Sequence, residues 1–329
     1  MEYLGLVVVV ARIQPPFSRI IFALSVGGFY TSILAIWQFI IQHSVGGWWW
    51  FLGERTFYAS TPGIAAFPYN GQLFLRAYAT FSHPNVLAGF FVIINLLMIP
   101  YIVHTISFFP RLLKGWYIGI VLLNTVGLIL TFSRGAWIVY GIGLGILILG
   151  KVHKSYQKPL LFTSRLLVVL YAGIVLSFFI PQFITSSDRT VTERKILLNG
   201  AVRLTLQNPL IGVGLNQFIP RVQPLLPQDV GIFRFQPVHN SYLLIGVETG
   251  YIGCILFLGV ILGLIKRGLK SSFYLVVPVL ALYLIGMFDH YLVTLQQGQI
   301  LLAVVLSLAF LPQKTYTDRK PKYKTHKSK

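Results

Sequence analysis

Long stretches of this chain carry no charge, and that bounds its fold before anything else does. Segments near 20–41, 85–106, 116–132, 136–150, 160–181, 240–265, 273–288 and 292–312 are apolar over lengths that cross, or nearly cross, a bilayer. Only 11% of residues are charged while 55% are hydrophobic, and mean hydropathy is +0.73. A water-soluble domain needs more polar surface than that. The expected fold is all-α: a polytopic integral membrane helical bundle with about eight full spans plus an N-terminal fragment. Some segments fall short of the usual ~20 residues, which places them where the bilayer is thinned or protein lines the path. The first apolar run, Tyr3 to Ala11, is too short to span and reads as the tail of a longer helix.

Orientation follows from the cations. Arg12, Arg19, Arg111, Lys114, Lys151, Lys154, Lys158, Arg165, Lys266, Arg267, Lys270 and the basic residues after Pro312 fall on one side, mostly in short loops. Such loops face the cytoplasm. Residues 1–312 then form one transmembrane domain in the cytoplasmic (inner) membrane. Residues 313–329 form a basic cytoplasmic tail, expected to be disordered and to lie on anionic lipid. The net charge of +19 is thus mainly a topology signal. No basic patch carries a soluble nucleic-acid-binding fold, so nucleic acid is not an expected partner.

Two long loops, 42–84 and 182–239, face outward, joined by tight outward turns at Ser133-Arg134-Gly135 and Asp289-His290. His43, His83, His239 and His290 share that face, so the reactive residue types gather outside. The lone cysteine, Cys254, offers no disulfide within the chain. No Gly-rich phosphate loop followed by Lys-Ser or Lys-Thr occurs, so a reaction here runs without ATP on a donor activated beforehand. With 8 acids in the chain, no carboxylate cage for a divalent ion is evident. Neither metal nor cofactor is expected.

Within the second loop, Thr190 and Glu193 form a capping-box pattern. The helix they open should run to Gln207, since Asn208-Pro209 ends it. Its apolar face is Leu197, Leu198, Ala201, Val202 and Leu204; Lys195, Asn199 and Arg203 lie opposite. That is an amphipathic helix lying on the membrane or the bundle. Arg194 falls on the apolar face and needs a partner: Glu248, Asp289 or a bound phosphate. Further on, Gly212-Val213-Gly214 allows a tight turn. His239 and Asn240 then stand where the loop re-enters the membrane, with Glu248, Gly250 and Gly253 in the helix that follows. An imidazole and an amide at the mouth of a transmembrane helix point to chemistry on an anionic substrate at the membrane face.

Four blocks carry a resemblance. They are Arg76 with Thr80-Phe81-Ser82-His83-Pro84-Asn85 and Leu87-Ala88-Gly89; Thr131-Phe132-Ser133-Arg134-Gly135-Ala136; Glu193-Arg194 leading to Pro209 and Gly212-Val213-Gly214; and His239-Asn240 with Leu243, Glu248, Gly250 and Gly253. In this order the chain resembles the O-antigen ligase and O-antigen polymerase-like membrane glycosyltransferases, which usually have about twelve spans. The resemblance implies an enzyme that moves a glycan from a polyprenyl-diphosphate donor to an acceptor hydroxyl on the outer face of the membrane, and the scarcity of acids makes that transfer metal-independent. The acceptor is lipid, glycan or protein, and membrane lipids are the surroundings. Arginine suits a diphosphate through its fixed fork of donors. The expected catalytic residues are His239 as base with Arg134 and Arg194. Arg76, His83, Asn85, Arg203, Asn240, Glu248 and Asp289 are the expected substrate-binding residues.

Plainer readings stand beside these. Arg134 serves as a snorkelling interfacial arginine, Ser82 and Pro84 as the start of a helix, and Trp48-Trp49-Trp50 as an interface belt. The alternative functions are a membrane transporter for an anion such as bicarbonate, and a non-catalytic part of a glycan assembly complex. Against transport, Asn95, Asn124 and Gln296 make no continuous polar path.

Overall fold

The computed structural model describes residues 2–69, 71–105, 109–149, 189–227, 236–271, 273–309 and 311. The segment expected to span at 160–181 and the tail at 313–329 lie outside the described residues. Among those described, four helices are long and apolar enough to cross a membrane: α2 (Phe17–Ile41), α4 (Pro84–Thr105), α5 (Arg111–Leu130) and α9 (Ser241–Ser271). Shorter apolar helices are α6 (Arg134–Leu149), α10 (Phe273–Phe288) and α12 (Gln296–Leu308). Before them comes α1 (Glu2–Ile13), which packs on α12.

The core is built round α4. Its sequence is apolar on every side, as a helix surrounded by protein requires, and α2, α5, α6, α10 and α12 all pack on it. Phe91, Ile93, Ile94, Leu96 and Met98 are fully buried there. Two asparagines in this core are joined by one hydrogen bond, and Asn124 Oδ1 is left buried without a partner. The Asn124 amide donates to Asn95 Oδ1 at 3.1 Å, and Asn95 Nδ2 reaches Thr125 and Tyr140, each at 3.2 Å. They tie α4, α5 and α6 together, the usual work of amides inside a bundle.

The loop between α2 and α4 is ordered by side chains of α2. Glu54, almost wholly buried, accepts from the amides of Val45 and Gly46 and from Gln38. Gln38 Oε1 in turn accepts from Ala79 N at 2.7 Å. The short helix α3 (Trp48–Phe51) leaves Trp48, Trp50 and Phe51 exposed. The all-α expectation needs correction here: a hairpin of β1 (Ala66–Tyr69) and β2 (Gln72–Leu75) pairs antiparallel, Ala66 opposite Leu75.

The helix of the second loop, α7 (Arg189–Gln207), ends where expected, but Thr190 is already helical and so is no cap. Its buried stripe is Leu197, Ala201 and Leu204; Leu198 and Val202, expected on the same face, are exposed. The stripe packs on α8 (Phe218–Val222) and α9. A further departure from expectation is at the C-terminal end. The segment 292–312 is not one helix: α11 (Tyr291–Thr294) is separated from α12 by Leu295, whose backbone is extended. The break turns Gln297 toward the first loop, where it accepts from Ser82 N and donates to Thr80 O, each at 3.1 Å.

Candidate active site

One end of the bundle gathers the ends of α4, α6, α9 and α10. Asp289, buried after the last turn of α10, is the hub. Its Oδ2 accepts from Asn85 Nδ2 at 2.7 Å, a contact between residues 204 positions apart. Asn85 Oδ1 accepts from Arg76 at 2.7 Å, and Arg76 Nε donates to Thr131 O at 2.6 Å. On the other side Asp289 Oδ1 lies 3.5 Å from His239 Nδ1 and 3.9 Å from His290 Nε2. The first of these is an ion-pair separation, longer than an ordinary hydrogen bond. The two imidazole rings stand 5.3 Å apart. His290 Nδ1 is held by the Thr294 hydroxyl at 2.7 Å, and Ser241 Oγ donates to the Asp289 carbonyl at 2.8 Å.

Local sequence explains the placement. Pro84 opens α4, and the next free N–H, that of Asn85, donates to His83 Nδ1 at 3.1 Å. The imidazole of His83 therefore caps the helix, and Ser82 does not: its hydroxyl is buried and unpartnered. Phe132 adopts a left-handed backbone, φ +50°, so the turn falls at 131–133 and Arg134 is the first residue of α6 instead of the middle of a turn. Asn240 Oδ1 accepts from Leu243 N at 2.9 Å, capping α9, while its Nδ2 donates to Met287 O at 3.3 Å.

Charge is shared across the cluster. Burial pushes Arg76 down to about 10, with Arg194 and Arg134 adding to the shift and Tyr78 and Asp289 opposing it. Both other arginines are thus near enough to act on it. Burial, with Arg76 beside it, pushes His83 down to about 3. His290 falls to about 4, again mainly through burial. For Asp289, burial favours the neutral acid, yet His239, His290 and His83 together hold it well below the usual carboxylate range. Arg194 has its Nε buried with no hydrogen-bond partner, and no ion pair joins it to Glu248 or Asp289.

Some expected residues lie elsewhere. Glu248 accepts from Phe218 N at 3.3 Å and helps seat α8. Arg203 is exposed on α7. Gly212 and Gly214 build a backbone joint: Val213 N donates to Val247 O at 2.9 Å, Gly214 N to Glu248 O at 3.0 Å, and Tyr251 N to Pro209 O at 2.8 Å. Gly250 permits it by interrupting α9 with φ +69°.

His239, Asp289 and His290 offer donor atoms that all lie within 4.8 Å of one another. Two imidazoles and a carboxylate suit a transition ion in kind. The arginines acting on the same cluster work against a second source of positive charge.

The fold and this cluster define a class: a multi-pass helical membrane protein whose helix ends converge on a histidine–aspartate pair among arginines. The family model described as O-antigen ligase matches residues 119–258. Over that stretch, which is less than half of the chain, the protein is similar to a family of glycan-transferring membrane enzymes. No curated protein matches it. The matched stretch carries Arg134, Arg194 and His239; Arg76, His83, Asn85 and Asp289 lie outside it. The Asn85–Asp289 link and the contacts of Ser241 and Thr294 have no local signature in the sequence. The usable signal is the polarity of these residues at the ends of apolar segments.

Proposed function

We propose that this protein transfers a glycan from a polyprenyl-diphosphate donor to an acceptor hydroxyl on the outer face of the cytoplasmic membrane. The observation that carries the reading is the run of contacts Thr131–Arg76–Asn85–Asp289–His239, which unites three of the four sequence blocks at one point. His239 turns Nδ1 to the carboxylate, which leaves Nε2 to take the proton of the acceptor hydroxyl. The hydroxyl oxygen attacks the anomeric carbon, the bond from that carbon to the diphosphate breaks, and the bonding pair leaves with the diphosphate. Asp289 stabilises the imidazolium that forms. Arg134 and Arg194, whose buried Nε has no hydrogen-bond partner, meet the developing phosphate charge. Arg76 is committed to Thr131 and Asn85 and adds its field while fixing the others. Arginine charge takes the part a divalent ion plays in many phosphate-releasing enzymes, so the reaction is metal-independent.

The test is transfer by purified protein from lipid-linked glycan, read as free lipid diphosphate. His239→Ala should lower the rate by about 10²–10⁴ with thermal unfolding unchanged, and EDTA should leave the wild-type rate unchanged. Undiminished transfer by the variant would remove His239 as the base; loss of activity with EDTA, restored by one metal, would give the His239–Asp289–His290 group to an ion.

A further inference from the structure

A second polar site stands apart from the arginine cluster. Where the loop 209–214 docks on α9, it leaves a cavity of about 420 Å³ between the last turn of α7 and α8, a size in the ordinary range for small-molecule pockets. Gln207, Asn208 and Arg221 line it together with Leu204, Pro220 and Pro224. Among the described residues none of the three polar side chains has a hydrogen-bond partner in the protein. All three are exposed to solvent at the open mouth of the cavity, so a guest that enters it exchanges their water for its own polar groups.

The chemistry of the lining selects that guest. No acidic residue lines the cavity, so it is not built for a cation. A lone guanidinium, with two carboxamides that each donate and accept, matches a set of hydroxyls better than a diphosphate, which draws several cations. Proline and leucine faces suit the C–H side of a sugar ring. Position agrees: from Arg194 to Gln207 the axis of α7 rises about 20 Å, so the two sites are separate but share one rigid helix.

We propose that this cavity binds sugar units of the glycan at a distance from the transfer centre. This rests on the glycan-transfer reading, and the guest chain belongs either to the donor or to a glycan-bearing acceptor. Both present ring hydroxyls to the same side chains.

The test uses the full chain in detergent micelles, with glycan released by mild acid from the lipid-linked pool of the cells that make it. Saturation-transfer NMR should show that free glycan binding to wild type and to His239→Ala, with binding lost in Arg221→Ala and Asn208→Ala. In transfer assays those two variants should raise KM by about tenfold, the loss of a hydrogen bond to a charged or polar group, more than they lower kcat. A rise for the donor assigns the cavity to the donor chain, and a rise for the acceptor assigns it to the acceptor. Equal glycan binding by wild type and by the Arg221→Ala, Asn208→Ala double variant, with both KM values unmoved, overturns the proposal. Transfer by His239→Ala would instead remove the catalytic reading and leave the binding result to stand on its own.

Discussion

At the scale of single residues, the decisive pairing is Asp289 with Asn85. A carboxylate turned by an amide faces both imidazoles with Oδ1, which also accepts from the His290 backbone N–H at 2.8 Å, and the amide in turn is fixed by Arg76. Asp289→Asn keeps the shape and removes the charge that stabilises an imidazolium. It should lower kcat by about 10²–10⁴ and leave donor KM nearly constant; a change confined to KM would make Asp289 a substrate contact instead. Arg194→Lys retains charge but loses the fork, so it should weaken transfer substantially. His83 and His290 are held neutral in the fold, at about 3 and about 4 against an ordinary value near 6.5. As pH falls below about 6.5 the unfolded chain takes up protons that the folded one refuses, so stability drops with acid. His83→Asn preserves a side chain that can cap Asn85 N–H yet does not titrate. The fall in unfolding midpoint between about pH 6.5 and 4 should be shallower in that variant; an unaltered slope would take His83 out of the acid response. His239, Arg134, Arg194 and Asn85 each sit in a recognisable block of the sequence. The contact of Asn85 with Asp289 was not legible there, because nothing local signals a contact across most of the chain.

At the scale of elements, glycine decides how the second loop meets the bundle. Gly250 has φ +69° inside α9, and a side chain there would run into the Leu210 carbonyl. Gly212, at φ +72°, is pressed against the Glu248–Thr249 peptide in the same way. Gly250, with ψ −174°, occupies a positive-φ extended region essentially reserved for glycine, which costs another residue about 1–3 kcal/mol, and the collision adds to it. Gly250→Ala should therefore undock the 209–214 segment, seen as faster proteolysis there and a lower unfolding midpoint; unchanged protection would mean that the joint is not what holds α7 in place. The glycine spacing was visible in the sequence, but whether it cradled a phosphate or a peptide depended on a partner helix that local pattern does not specify. The hairpin is legible in the sequence. Asn70-Gly71 between Ala-Phe-Pro-Tyr and Gln-Leu-Phe-Leu is a strong two-residue turn signal, masked by the expectation that a membrane chain is helical throughout. The broken helix at Leu295 was not legible, since an apolar run reads the same whether it is continuous or interrupted.

At the scale of the whole molecule, the helices fix which membrane face the cluster occupies relative to the cations. α5 begins at Arg111, with Lys114 in its first turn, and ends at Leu130, next to the Thr131 carbonyl that holds Arg76. Its 20 residues rise about 30 Å, the thickness of a hydrocarbon core. Arg111 and the Asp289 cluster must therefore lie at opposite faces of any bilayer that α5 crosses, and α4 repeats the constraint in reverse because it starts at the cluster. If the positive-inside rule holds for Arg111 and Lys114, the cluster opens outward, where an acceptor outside the cell can reach it. A Cys254→Ser background with one new thiol tests this directly. In sealed right-side-out vesicles, an impermeant maleimide should label Asn199→Cys on α7 at once, and Arg111→Cys only after permeabilisation. Labelling in the opposite order would put His239 and the arginines on the cytoplasmic face, and transfer to an external acceptor could not then be this protein's reaction.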